Sequence, residues 1–579
     1  MLMRPLSVLI ALGSIVALAA CATGPGQARS GGAVAVARPE DGASSYGLFL
    51  AGQAAINRGH GEAAADYFGR AASGQGAAGA SFLESRAFTA ALMAGDVDKA
   101  ASLAPLGADA DAEPGLRQLG ALVRGVAALA QGDARKARAI LTGPDVGAPH
   151  RAAAALLAPW AAAAAGDVEA SFVRPVIAGE PISQFFASLD QGKLYERAGR
   201  YVEAETAYRA LIGSGDPGGI ASATLGEMLE RRGRAGEAIA IYDSALARNP
   251  ADETIGRARA RAAAHKPPPP PPSLRQGAAE AIIAPATALM IGKQEEIALA
   301  YLRLALRLDP SRDEAWMLAG DILTGAGDPE AARAAWERPK PGSDQYVAVR
   351  GKLAWSYQQN GDKDAALKIA GETVAQDPAN QDASIILADI LRANDRYDES
   401  IKVLDALITA AGPRADWRLL YMRAVSLEQA GRWADAEIDL AAALKMKPDE
   451  PELLNFLGYS WIDRGERLPE ALAMVQKAVN LDPQSGAMLD SLGWGYYRMG
   501  DYKTAVDKLE AAVQLEPADP DVNNHLGDAY WRVGRRTEAQ YQWRRVLTLA
   551  PTAKTKAEVE AKLASGLGGP TRPAVVAHQ

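Results

Sequence analysis

The feature that most constrains this chain is a glycine that returns about every 34 residues. It falls at Gly59, Gly95, Gly132, Gly166, Gly199 and Gly233. After a longer gap it resumes at Gly292, Gly327 and Gly361, and again at Gly431, Gly465, Gly500 and Gly534, with Asp395 holding the place between. Fourteen places at one period point to a stack of like units, none able to bury its apolar face alone. Glycine suits the left-handed backbone that ends one helix and turns the chain into the next.

Other positions keep the same phase. Ala436, Ala471, Ala505 and Ala539 come after the turn, and Ala443, Ala478, Ala512 and Val546 seven residues later. Ala424, Gly458, Gly493 and Gly527 precede it by seven, and Pro448, Pro483, Pro517 and Pro551 close each unit. Small residues on both sides of the turn let two antiparallel helices approach, larger ones such as Tyr496 and Leu509 fill the gap beside them, and the proline ends the unit. Gly226, Leu229, Gly233, Ala238, Tyr242, Ala245 and Pro250 repeat the pattern further forward. This spacing resembles the tetratricopeptide repeat (TPR). The resemblance implies an all-α fold, a TPR α-solenoid of about fourteen helix pairs, with the first helix of each pair lining a concave face.

The interval from Gly233 to Gly292 is 59 residues, and it contains Pro267 to Pro272. Six prolines form a stiff extended segment. The expected organisation is two superhelical blocks: a divergent alanine-rich block over 45–264, a polyproline linker over 265–274 and a C-terminal block over 275–564. The linker reads as a spacer or hinge, as an inert connection, or as a docking site for a proline-reading module. The tail 565–579 is rich in glycine and proline and is expected to be disordered.

Composition narrows the function. Lys and Arg total 62 against 70 Asp and Glu, a net charge of -8. No basic block offers the clustered cations that phosphate contacts require, so a nucleic-acid partner is not expected. The five histidines are scattered and there is one cysteine, so neither a metal site nor a cofactor is expected.

That cysteine, Cys21, comes after Arg4, an apolar run from Leu6 to Ala17, and Leu18-Ala19-Ala20. The run is too short to span a bilayer and fits a signal peptide over 1–20. Leu-Ala-Ala-Cys resembles the bacterial lipobox, which implies diacylglyceryl transfer to the Cys21 thiol and cleavage before it. Ala22, rather than Asp, implies by the same resemblance an outer-membrane lipoprotein facing the periplasm. Residues 21–44 then form the acylated cysteine and a flexible tether.

No catalytic signature is present. The chain lacks a P-loop, His-Glu-x-x-His and Gly-x-Ser-x-Gly, and Gly213 to Gly219 falls where a loop between repeats belongs. No stretch outside the repeats approaches the roughly 100 residues of a catalytic domain. An enzyme is not expected.

Counting back from the turns places Asn455, Tyr459, Asp490, Trp494, Tyr497, Arg498, Asn524, Asp528, Trp531 and Arg532 on the concave face, with Ile462 and Asp463 beside them. Aromatic area, arginine and asparagine together suit a segment of another protein. Trp494 and Trp531 read equally as groove residues or as packing between repeats. Trp461 and Trp543 sit at core positions, and His525 reads as a hydrogen-bonded structural residue.

Leu457-Gly458-Tyr459 with Asp463-Arg464, Leu489-Asp490-Ser491-Leu492-Gly493-Trp494, and His525-Leu526-Gly527-Asp528 with Trp531, Gly534 and Trp543 resemble the C-terminal repeats of Gram-negative repeat lipoproteins. One type in that group is an adaptor that presents cell-wall hydrolases to a periplasmic carboxyl-terminal processing protease. The resemblance implies a non-catalytic, lipid-anchored scaffold or adaptor whose partners are proteins. The alternative is a structural component of an envelope machine for polysaccharide export or outer-membrane assembly.

Overall fold

The computed structural model describes residues 44–568, apart from 57–58, 74–76, 106–112, 178 and 251. The expected signal peptide, Cys21, the tether up to residue 43 and the tail from 569 lie outside the described residues. Two compact units divide between Leu353 and Ala354.

In the first unit the helices run as consecutive pairs. They are α1 Ser45–Ile56 and α2 Gly61–Ser73, α3 Ala77–Ala94 and α4 Val97–Leu103, then α5 Pro114–Ala130 and α6 Ala134–Leu141. Next come α7 Arg151–Ala164 and α8 Val168–Ser171, α9 Pro181–Arg197 and α10 Tyr201–Ser214, then α11 Ile220–Arg231 and α12 Ala235–Arg248. A lone α13 Glu253–Ala263 precedes the prolines. After them come α14 Leu274–Ile291 with α15 Glu295–Leu308, and α16 Asp313–Gly325 with α17 Pro329–Trp336. The boundary falls within α18 Tyr346–Gln359, which pairs with α19 Lys363–Gln376. The second unit continues with α20 Gln381–Ala393 and α21 Tyr397–Ala411, α22 Trp417–Gln429 and α23 Trp433–Met446, and α24 Pro451–Arg464 and α25 Leu468–Leu481. It ends with α26 Gly486–Met499 and α27 Tyr502–Leu515, α28 Pro520–Arg532 and α29 Arg536–Thr548, and a lone α30 Ala553–Ser565.

Every turn of the 34-residue series separates the two helices of a pair. Asp395 takes the left-handed conformation (φ +60°) that its glycine counterparts take, which a short polar side chain tolerates better than most. Only at Gly292 does the register shift: its φ is −75°, and Lys293 is the left-handed residue at +57°. At most turns the next residue starts the second helix in one of two ways. Asp96, Asp133, Asp167, Asp328, Asp362 and Asp501 accept a hydrogen bond from the backbone amide three residues on. At Arg200, Arg234, Arg396, Arg432 and Arg535 an arginine takes that place and clamps an acid three residues on, as Arg234 does with Glu237 and Arg535 with Glu538.

The small residues before the turn permit close approach. A Cβ at Gly527 would lie 2.5 Å from the indole of Trp543, and one at Gly493 would lie 2.6 Å from Leu509. Ala505, Ala512, Ala539 and Val546 on the partner helices are fully buried.

In the first unit the row of first helices is covered by the chain itself. α14 packs on α7 and α9, and α15 packs on α3 and α5. On two of these helices the residues ten and six before the turn are apolar and fully buried, Leu122 and Val126 on α5 and Leu156 and Trp160 on α7; at the same places α3 carries Ser85 and Thr89, and α9 carries Leu189 and Lys193. Gly277 of α14 seats directly against Trp160. From Ala278 to Ala286, α14 is buried on nearly all sides, the mark of a helix enclosed by others. Polar contacts fix the register of α14 and α15. Tyr301 bonds His150 at 2.8 Å, Arg303 donates to the Met93 carbonyl at 3.0 Å, and Lys193 meets Glu280 at 2.5 Å, with Arg312 on the other carboxylate oxygen. Asp190 stands beside this network, and burial, opposed by Lys193 and reinforced by Glu280, raises its carboxyl to about 7.

The prolines therefore do not separate two blocks as the sequence suggested. α10 to α13 have their own small core, including Tyr208, Leu225 and Tyr242. The proline run then returns the chain to α7 and α9. Arg231 donates to the Pro269 carbonyl at 2.7 Å and Arg197 to that of Pro272 at 2.6 Å. Ser273 and Gln276 form a reciprocal cap that restarts the helix at α14. The boundary between units lies about 80 residues later than expected, because burying α14 and α15 welds residues 274–353 to the first repeats.

No helix among the described residues is long and apolar enough to cross a membrane.

Candidate partner-binding face

In the second unit the corresponding row runs along α20, α22, α24, α26 and α28, and its chemistry differs at the same register. Ten and six residues before the turns stand Asn455 and Tyr459 on α24, Asp490 and Trp494 on α26, and Asn524 and Asp528 on α28. Lateral contacts between neighbouring first helices tie parts of the row together. Arg464 meets Glu428 at 3.2 Å, and Arg498 donates to the Asp463 carbonyl at 2.7 Å. Arg532 donates to the Tyr497 hydroxyl at 3.2 Å.

At the C-terminal end the row is covered. Lys562 of α30 is buried and donates to Asn524 at 3.0 Å and Asp528 at 2.8 Å, while Trp543 donates to the second Asp528 oxygen. Burial raises the Asp528 carboxyl, and the Lys562 ammonium opposes it. Trp531 packs on Gly566, lies under Arg536 at 3.8 Å and donates to the Leu567 carbonyl at 3.3 Å. Arg532 donates to the Gly568 carbonyl at 2.7 Å. Asn524, Asp528, Trp531 and Arg532 thus seal the end of the stack. Residues 566–568, expected to begin a disordered tail, form part of that seal.

Asn455, Tyr459, Asp490, Trp494, Tyr497 and Arg498 lie outside this cover. Trp494 is half-buried, neither core nor free: its indole stacks between Tyr497 (centroids 4.6 Å apart, 8°) and His525 (4.2 Å, 16°). His525 Nδ1 in turn lies 2.9 and 3.0 Å from the two oxygens of buried Asp490. Burial pulls the imidazole down, and the Asp490 carboxylate, with Asp528 and Asp521 nearby, outweighs it, so the net shift is upward. The expectation of a hydrogen-bonded structural histidine matches this geometry. Trp461 is buried with its N–H on Glu437 at 3.0 Å, and Trp543 is fully buried.

Two buried polar atoms on this face have no partner among the described residues: Oδ1 of Asn455 and Nε1 of Trp494. Tyr459 stands near the carboxylates of Asp490, Asp463, Asp521 and Glu428; burial first and then these charges push its phenol up. Tyr421, ten before Gly431, and Glu452 and Asp521, thirteen before Gly465 and Gly534, extend the face beyond the ten residues named from the sequence. Tyr421 meets Phe456 edge-on at 5.6 Å. Glu452 and Asp521 make no ion pair among the described residues, and both carboxyls are raised, by burial foremost. Among the described residues, no group of three His, Cys, Asp or Glu side chains could hold a metal ion.

Tetratricopeptide-repeat family models match residues 189–253, 296–343, 352–416, 421–486 and 495–534. A curated relative, the TPR repeat-containing protein PA4667 of Pseudomonas aeruginosa, is 34% identical over 128 residues, 22% of this chain and 21% of the relative. The match therefore spans about a fifth of that protein's length. Among solved structures, the APC/C Cut9–Hcn1 hetero-tetramer aligns over 84% of this chain and 96% of its own, at 16% identity and a TM-score of 0.36. A tetratricopeptide repeat protein from Parabacteroides merdae aligns over 44% of this chain and 98% of its own, at 14% identity and 0.37. MamA aligns over 30% of this chain and 97% of its own, at 22% identity and 0.25. Repeats of this kind are generally non-catalytic and mediate contacts between proteins. The matched residues lie in consecutive helix pairs of an all-α fold, the architecture of a tetratricopeptide-repeat solenoid.

Proposed function

We propose that the chain is a non-catalytic scaffold that binds protein partners along the first helices of its second unit. One observation carries this reading. The register is apolar and filled under α14 and α15 on α5 and α7 of the first unit, yet polar and aromatic, with no described helix packed over it, on α24 and α26 of the second. Only the uncovered face has room for another chain.

The address and the partner go further than the fold. Acylation at Cys21 would hold the scaffold at the outer membrane facing the periplasm, where a tethered repeat array raises the local concentration of whatever it binds. The adaptor resemblance in residues 453–547 supports one use: presenting cell-wall hydrolases to a carboxyl-terminal processing protease. Crosslinking in intact cells with mass spectrometry tests both parts. The expected result is a periplasmic protease and a wall hydrolase captured by the wild type and lost with Tyr459→Ala, Trp494→Ala. Unchanged capture by that variant contradicts the binding face. Absence of both partners contradicts the adaptor role. A Cys21→Ser protein that still incorporates lipid contradicts the anchor.

A further inference from the structure

The chemistry of the uncovered face narrows what can occupy it. Asn455 and Asn524 hold the same place in their repeats, ten residues before the turn. At Asn524 the side-chain oxygen receives the Lys562 ammonium of the next first-position helix. At Asn455 the next such helix carries Trp494, and both Asn455 Oδ1 and Trp494 Nε1 lack a partner. One acceptor and one donor on laterally adjacent helices match the N–H and C=O of a peptide unit. Such buried polar atoms are destabilising until they are paired.

Most of the charge around them is negative. Asp463, Asp490, Asp521 and Glu428 surround Tyr459, and Glu452 lies near Tyr421 one repeat earlier. Arg498 and Arg464 are held on Asp463 and Glu428, and His525 is held on Asp490. Asp521 and Glu452 make no ion pair among the described residues, with His525 facing the first and Arg418 the second at longer range, and they lie near Tyr459 and Tyr421. Carboxylates next to rings favour an ammonium or guanidinium over any anion. The structure already seats one cation in this row, the Lys562 ammonium on Asn524 and Asp528.

We propose that the face between α22 and α28 binds an extended, cationic peptide segment of a partner protein, its backbone amide bridging Asn455 and Trp494 and a Lys or Arg side chain reaching Asp521. This rests on the second unit's face being the binding face, and names the chemistry of what binds there.

The test displays random twelve-residue peptides against the purified full chain. Recovered peptides are expected to carry Lys or Arg at a fixed place. A synthetic copy of one should lose about tenfold in affinity with Asp521→Asn, and about tenfold with Trp494→Phe, which keeps the ring stack and removes the N–H. Asp435→Asn, on a second helix away from the face, should leave binding unchanged. Peptides that lose affinity with Trp494→Phe yet show no Lys or Arg preference overturn the cationic partner and leave the binding face standing. Recovery of no peptide, or of peptides indifferent to both variants, overturns the two together.

Discussion

The two units use one repeat to opposite ends. In the first, Leu122, Val126, Leu156 and Trp160 on the first helices are sealed under α14 and α15. In the second, Asn455, Tyr459, Asp490 and Trp494 stand at the equivalent places with no described helix over them between α20 and α26. The backbone is the same at these matched places, and the side chains six and ten residues before the turn distinguish the covered α5 and α7 from the open α24 and α26. Each apolar residue in the first unit contributes on the order of 2 kcal/mol by burial, and a partner would have to displace a covalently attached helix pair to reach it.

Substitutions at matched positions test this contrast. Trp160→Ala should destabilise the first unit by about 4 kcal/mol, because its ring is fully enclosed against Gly277. Trp494→Ala should destabilise the second by only about 1 kcal/mol, since its ring is half-buried. Thermal unfolding of the two variants reads the difference, and equal losses would erase the distinction. Next in size is Glu280→Gln, which leaves Lys193 and Arg312 with a weakened acceptor inside the first unit. Breaking a buried pair of this kind is expected to cost about 3 kcal/mol, read as a lower denaturation midpoint that added salt does not mimic.

The filled face also has a pH signature. Asp190 has a carboxyl raised to about 7 in the folded chain, with burial as the main cause. A raised carboxyl means that the fold favours the protonated form. Its favourable contribution is full below the ordinary carboxylate range, declines as pH rises, and is gone above about 7. Asp190→Asn should therefore raise the unfolding midpoint at pH 8 and leave it nearly unchanged at pH 4. A variant that is destabilising at pH 8 would show that Lys193 needs this carboxylate as well as Glu280.

Local rules made much of the fold readable in advance. The turn glycines, the small residues seven before them and even Asp395 are set by backbone conformation and helix spacing within one unit. Trp461 and Trp543 obey the same spacing. What covers a row is not local. Trp160 and Gly277 are over a hundred residues apart in sequence, and nothing near either shows that one will receive the other. The same holds for Lys562 on Asn524 and Asp528, whose helix converts four expected binding residues into an end seal. A signal was nevertheless present: counting back from Gly132 and Gly166 gives Leu122, Val126, Leu156 and Trp160, all apolar, where the later repeats give Asn, Asp and Tyr. A row of apolar residues on the face expected to meet solvent implies that something covers it. The proline run misled for a related reason. Its stiffness is local, but its direction is set by Arg197 and Arg231 on distant helices.

The contrast between a filled and an open face can be measured with thiol chemistry, because the chain has a single cysteine. In a Cys21→Ser background, Val126→Cys and Tyr459→Cys place one thiol on each row. The expected result is that Tyr459→Cys reacts with a thiol reagent far faster than Val126→Cys, which reacts only as fast as the first unit opens. Equal and rapid labelling at both positions would contradict a filled first face, and protection at both would contradict an open second one.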